Sequence, residues 1–151
     1  MKKSTVMIVL MLFATVTFAQ KMQEKDVPSN VKAAFKKQYP AAKQVKWDRE
    51  DAKYEASFAL NKIDNSVLID AQGNIVETEV EIELNQLPKR VGEYVKINYA
   101  GEEIMEAAKI IDAKGTITYE AEIKGMDLIF DSNGKFVKAE KDKNEKQEKE
   151  N

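Results

Sequence analysis

The chain repeats itself, and the repeat limits the folds open to it. Val27-Pro28 is followed by Val31, Phe35 and Tyr39, and Leu87-Pro88 by Val91, Val95 and Tyr99, each position shifted by 60. Tyr54-Glu55-Ala56 returns as Tyr119-Glu120-Ala121 at a shift of 65, and Asp70-x-x-Gly73 as Asp131-x-x-Gly134 at a shift of 61. Three matched features in one order mark a duplication, with a small insertion in the second copy balanced by a shorter hairpin after it. Self-similarity at a fixed period makes each copy one supersecondary unit.

Each copy opens with a helical pattern. Val31, Ala34, Phe35 and Tyr39 lie at i, i+3, i+4 and i+8, which is one face of an α-helix. Pro28 suits a first turn, where its missing N–H costs nothing, and Pro40 disfavours helix at Tyr39. Val91, Tyr94, Val95 and Tyr99 repeat the pattern, and Gly101 follows its end. Both helices are short and amphipathic, so they must dock on something apolar.

The period then changes to two. Val45 and Trp47 alternate with Lys46 and Asp48, and Tyr54, Ala56 and Phe58 with Glu55 and Ser57. Val76, Thr78, Val80, Ile82 and Leu84 alternate with Glu77, Glu79, Glu81 and Glu83, and Ile117, Tyr119, Ala121 and Ile123 with Thr116, Thr118, Glu120 and Glu122. This is the pattern of antiparallel strands with one buried and one wet face. Asp70-Ala-Gln-Gly73 and Asp131-Ser-Asn-Gly134 place Gly where a hairpin wants positive φ. The fold expected is α+β: two αββββ repeats forming one antiparallel sheet, repeat 1 over 27–84 and repeat 2 over 85–139. Both helices are expected on one face, over Trp47, Tyr54, Phe58, Val80, Tyr119 and Ile123. The other face is expected open and polar.

Outside the repeats the chain reads differently. Lys2 and Lys3 precede an apolar run of 13 residues, Val6 to Phe18, and Thr17 and Ala19 are small residues placed for cleavage. Residues 1–19 therefore read as a secretory signal cut after Ala19. The run is shorter than the ~20 residues a membrane span needs. Residues 20–26 are expected as a flexible leader. Residues 140–151 alternate charges with no large apolar residue and are expected as a disordered tail. Export predicts a periplasmic or secreted protein, not embedded in a membrane, and a monomer.

Composition removes several kinds of chemistry. The chain has no His and no Cys. That excludes Ser-His and Cys-His nucleophile pairs, and it takes away the usual ligands of zinc and copper. Removing residues 1–19 leaves 22 basic against 26 acidic residues, a net charge of −4, which offers nucleic acid no attraction.

Pro28, Val31, Phe35, Tyr39, Val45, Trp47, Tyr54, Glu55, Ala56, Asp70 and Gly73 together resemble the PepSY-like family, also described as β-lactamase-inhibitor-like. The second copy carries Pro88, Val91, Tyr99, Tyr119, Glu120, Ala121, Asp131 and Gly134, without the Trp or the Pro after Tyr99. The resemblance runs from about Val27 to Val137. It implies an exported Gram-negative envelope protein, with relatives that inhibit secreted proteases or β-lactamases through a concave sheet face and its loops. The matching residues are core and turn residues, so the resemblance assigns no contact residue.

Glu77, Glu79, Glu81 and Glu83 form the sharpest candidate site. Period two puts their carboxylates on one strand face about 7 Å apart. With Glu55, Glu120 and Glu122 they predict an acidic open face that would attract a basic protein surface. The plain alternative is a solvated face relieved by Lys46, Lys53 or Lys109 across the strands. A straight row suits a metal ion poorly, because hard cations need convergent oxygens. Asp131-Ser-Asn-Gly134 lacks the rest of a calcium loop and reads as a turn. Trp47-Asp48-Arg49-Glu50-Asp51 reads as a core Trp followed by a turn, and Tyr54 and Tyr119 as core aromatics. The function expected is a non-enzymatic binding module that inhibits or regulates a secreted or envelope enzyme, with no catalytic residue, cofactor or metal. The alternative is a small-ligand or envelope-stress sensor domain, which needs a closed apolar pocket between helices and sheet.

Overall fold

The computed structural model describes residues 20–141. The expected signal peptide and the residues from 142 onward lie outside them. The elements are β1 (Gln20–Met22), α1 (Ser29–Gln38), β2 (Lys43–Glu50), β3 (Lys53–Leu60), β4 (Ile63–Asp70), β5 (Ile75–Glu81), α2 (Lys89–Asn98), β6 (Glu106–Asp112), β7 (Ile117–Ile123), β8 (Met126–Asp131) and β9 (Phe136–Lys141). All strands join one antiparallel sheet in chain order. The two helices bridge β1 to β2 and β5 to β6.

Register shows that both helices lie on one face. Ala56 pairs with Trp47 and Val67, Val67 with Thr78, Thr78 with Ile111, and Ile111 with Ile117. Partners across a sheet point the same way, and alternation then carries that side to Tyr119, Ala121 and Ile123. Under α1, Val31 and Phe35 are buried with Trp47, Tyr54, Ala56, Phe58, Val67 and Ile69. Under α2, Val91 and Val95 are buried with Ala121, Ile123, Leu128 and Phe130. The α+β class and the two αββββ units are therefore as expected.

Three details differ. Residues 20–26 are not an irregular leader: Gln20–Met22 pairs with Arg49–Trp47, and Glu24–Asp26 forms a 3-10 turn. This mirrors the second copy, where β5 and the 3-10 turn Leu84–Gln86 precede α2. The pairs Gln20↔Arg49 and Val80↔Lys109 are both related by the shift of 60. The repeat unit thus begins with a strand, which three residues were too few to reveal by alternation. Second, Val80 is 36 % exposed and Tyr119 only partly buried. Each 10-residue helix is about 15 Å long and covers its own copy, so the middle strands lie between two separate cores. Third, Glu140 and Lys141, expected in the tail, belong to β9.

The helix ends show why the second copy manages without a proline. Tyr39 and Tyr99 both leave the helix near φ −127° and ψ 59°, at −126°/62° and −128°/56°. Pro40 enforces the exit in the first copy, and Gly101, at φ 92°, turns the chain in the second.

Each Asp-x-x-Gly hairpin tucks its glycine against the start of its own helix. A Cβ on Gly73, at φ 88°, would stand 3.2 Å from the Asn30 carbonyl oxygen, and Asn30 Nδ2 donates to the Ala71 carbonyl at 2.7 Å. A Cβ on Gly134, at φ 76°, would stand 2.8 Å from Pro88 Cβ and 3.1 Å from Arg90 Cβ. Gly134→Ala should therefore destabilise by about 3 kcal/mol, from left-handed strain plus overpacking. Gly101→Ala, with nothing within 4 Å of its Cβ, should cost only about 1 kcal/mol. Urea unfolding of the two variants measures the difference.

Candidate functional site

The face opposite the helices is concave. A cavity of about 740 Å³ runs across it, open to solvent, from β2 to β9. Alternation puts there every residue between the core positions. Ten carboxylates line it, from Asp48, Glu55, Asp64, Glu77, Glu79, Asp112, Glu120, Glu122, Asp127 and Glu140, against the three amines of Lys43, Lys46 and Lys138. The whole chain nets only −2, so the acid is concentrated on this surface.

Of the acids singled out in the sequence, Glu55, Glu77, Glu79, Glu120 and Glu122 come together in this cavity. Glu81 and Glu83 do not line it. Glu81 is exposed at the end of β5, where its Oε2 accepts from Asp64 N at 3.4 Å. Glu83 lies outside any strand: it caps the 3-10 turn, and its own N–H donates to Gln86 Oε1 at 2.9 Å. The capping box ended β5 at Glu81, three residues before the alternation ends at Leu84.

Strand register turns the acids into rows. Glu106 pairs with Glu122, Glu122 with Asp127 and Asp127 with Glu140, so four carboxylic residues stand in line across β6 to β9. In a second row Asp48 faces Glu55, Leu68 separates Glu55 from Glu77, and Glu77 faces Asp112. Like charges directly opposite are destabilising in a sheet. Of the lysines proposed to relieve them only Lys46 lines the cavity. Lys109, paired with Tyr119, faces the helix side, and Lys53 sits at the β3 end opposite Asp70. Lys138 Nζ donates to Glu140 Oε1 at 2.7 Å.

Asp127 and Asp48 each set a carboxylate atom or side chain away from solvent. Asp127 is 8 % exposed, the one buried polar or charged residue among the described residues. Asp48 Oδ1 is buried without a hydrogen-bond partner. Burial raises the Asp48 pKa, and Lys21 and Lys46 pull it back down. Sequence reading missed Asp127 because β8 reads as an apolar run, Met-Asp-Leu-Ile-Phe-Asp, with no visible period. It missed Asp48 because it read that acid as part of a turn, whereas β2 continues through Glu50.

The remaining candidates are structural. Trp47 and Tyr54 are buried, and Arg49 lies 5.8 Å from the Tyr54 ring centroid. Asp131 closes a hairpin, its Oδ1 accepting from the backbone N–H of Asn133 and Lys135 at 2.9 Å. Asp70 and Asp112 close their hairpins in the same way. Among the described residues no group of three or more acidic side chains is placed to hold a metal ion, and no helix is long and apolar enough to cross a membrane.

An open antiparallel sheet with two helices on one face and a concave polar surface on the other defines the α+β class of this chain. This chain belongs to the PepSY-like, beta-lactamase-inhibitor-like family, which matches residues 16–77 and 62–138. The two segments overlap across β4 and the start of β5, as expected if the strand before α2 serves both copies. Among solved structures the chain is similar to a DUF2874 family protein from Bacteroides uniformis, at 24% identity over 76% of this chain and 89% of that one, TM-score 0.65. It is similar to a protein from Bacteroides eggerthii described as periplasmic, at 19% identity over 78% and 91%, TM-score 0.66. It is also similar to a BLIP-like protein from Bacteroides fragilis, at 22% identity over 76% and 85%, TM-score 0.58. No curated protein matches it. These likenesses establish the fold.

The titrating aspartates predict an acid limb of stability with a definite sign. The Asn74 side chain lowers the pKa of Asp70, and the backbone N–H groups of Thr116 and Lys135 lower those of Asp112 and Asp131. Stabilisation from groups lowered in the folded state is complete above the ordinary value of 3.8 and disappears as pH falls through the folded values. Asp48 runs the other way: its raised pKa means that ionisation opposes folding at neutral pH, and protonation relieves it. Asp48→Asn should therefore raise the thermal midpoint at pH 7 and have little effect near pH 4, whereas Asp131→Ala should lower it at pH 7 and flatten the acid limb. Calorimetry across that range checks both.

Proposed function

We propose that this chain is an exported, non-enzymatic binding module. Its concave acidic face receives a basic surface of a secreted or envelope protein, and by occupying that surface it inhibits or regulates its partner. One observation carries the reading: ten carboxylates and three lysines surround a single open concavity in a nearly neutral chain. Such a field speeds encounter with a cationic surface and rejects acidic ones. Family membership, the BLIP-like fold and a structural neighbour described as periplasmic support an exported role. The absence of His and Cys from the sequence supports binding over nucleophilic catalysis.

The sensor alternative required a closed apolar pocket between helices and sheet. That space is filled in the first copy by Phe35, packed edge-on against Trp47 at 5.4 Å and Phe58 at 5.1 Å. The large cavity lies on the other side and is polar, so the observations favour a protein surface over a small apolar ligand.

Capture from the envelope fraction, with the retained protein identified by mass spectrometry and its affinity then measured, tests the reading. Glu79→Lys plus Glu120→Lys should weaken that affinity at least tenfold, as should about 0.5 M salt, which shortens the screening length to a few ångström. Glu83→Lys, off the face, should leave it unchanged. Equal loss in both variants would remove the concave face from the account.

A further inference from the structure

The second copy ends on a strand edge that the first copy uses. By the shift of 61 that relates Asp70 to Asp131, β9 is the counterpart of β5. The far edge of β5 pairs with β6 over five residues, Glu77–Glu81 against Asp112–Ala108. The far edge of β9 is bare among the described residues. An edge of this kind presents a row of backbone donors and acceptors to another strand.

Two ways of covering it with a second copy follow from the repeat and from two-fold symmetry. In the first, β9 takes the place of the partner's β1 and pairs with the partner's β2, continuing the repeat head to tail. The internal pairs Val80↔Lys109 and Glu79↔Ile110 then become Lys141 opposite Arg49 and Glu140 opposite Glu50. Like charges meet at both positions, which disfavours an open-ended array. In the second, β9 pairs antiparallel with its own copy about a two-fold axis. If both copies keep their helices on the same side, the axis must pass midway between the two copies of one residue, because opposed residues point to the same face. Centred on Lys138 or on Glu140, the pairing sets like charges across the axis. Centred on Ala139, it sets each Lys138 opposite the other copy's Glu140. The bulge between Ile129 and Phe130 in the β8–β9 pairing marks the inner limit of the straight segment.

We propose that β9 is a self-association edge. Two copies join β9 to β9 about Ala139, with reciprocal Lys138–Glu140 pairs, into one continuous sheet. Lys138 and Glu140 are half-exposed and already bond to each other at 2.7 Å within the strand, so each exchanges a neighbour on its own strand for one across the axis. The union sets the two acidic concavities side by side on one surface and replaces the expected monomer. It does not depend on which partner that surface takes.

Sedimentation equilibrium of the purified protein, from about 1 µM to about 1 mM, tests the proposal. The mass should rise from one 17.1 kDa chain, less any cleaved signal, to two and stop there. Glu140→Lys should weaken association at least tenfold, and adding Lys138→Glu to that variant should restore it by reversing both charges. Both side chains are solvated, so circular dichroism should show an unchanged fold. A single-chain mass at 1 mM, growth past two chains, or a charge-swapped variant that stays monomeric would each overturn the pairing.

Discussion

Aromatic packing beneath each helix is the interaction on which the rest of this molecule depends. Phe35 holds α1 between Trp47 and Phe58, with Tyr39 4.7 Å from Phe58. In the second copy Tyr94 stacks on Phe136 at 4.6 Å and meets Phe130 edge-on at 5.5 Å. Each such pair adds about 0.5–1.5 kcal/mol beyond the area it buries. A three-turn helix is marginal alone, so these rings decide that the helices form and where they lie. With no disulfide available, apolar packing must stabilise the fold.

Two compact clusters on one face have consequences on the other. Neither helix reaches the middle of the sheet, so Val76 and Thr78 of β5 and Lys109 and Ile111 of β6 are only partly buried between the cores. No helix covers the opposite face, although Ala108, Ile110, Asp127 and Ile129 are buried on it. It holds rows of acids set opposite one another across the strands, and an aspartate with a buried oxygen lacking a hydrogen bond. The Asp48 oxygen breaks a local rule, and such breaks are expected where function constrains a chain. The hairpin aspartates show the contrast: each is an acid whose carboxylate is held by its own turn, and each stabilises the fold it belongs to.

Much of this was legible from residue order. The duplication, both helices, the α+β class and an open face bearing acids follow from periods of 3.6 and 2 and from the recurrence of Pro, Tyr and Asp-x-x-Gly, while its concavity was implied by the family resemblance. What escaped was set by register and by neighbours. The first strand is three residues long, below the length at which alternation can be read. Val80 alternates as a core residue, yet no helix stands over it. Glu83 continues the alternation, but its side chain and that of Gln86 close a turn instead. Asp127 sits inside an apolar run, and only the pairing of β8 with β7 and β9 reveals that Glu122 and Glu140 flank it.

The proposed reading is a division of labour: the helix-bearing face holds the molecule together, and the concave face is left for the proposed recognition. Equilibrium unfolding of the fourfold variant Glu77→Gln, Glu79→Gln, Glu120→Gln and Glu122→Gln, beside Phe35→Ala, tests it most directly. The account predicts that neutralising the acids leaves the unfolding free energy unchanged or raises it, while Phe35→Ala loses about 3–5 kcal/mol. A loss of more than about 2 kcal/mol from the four neutral substitutions, beyond what surface changes ordinarily produce, would show that the acidic face is part of what stabilises the fold and would contradict the account.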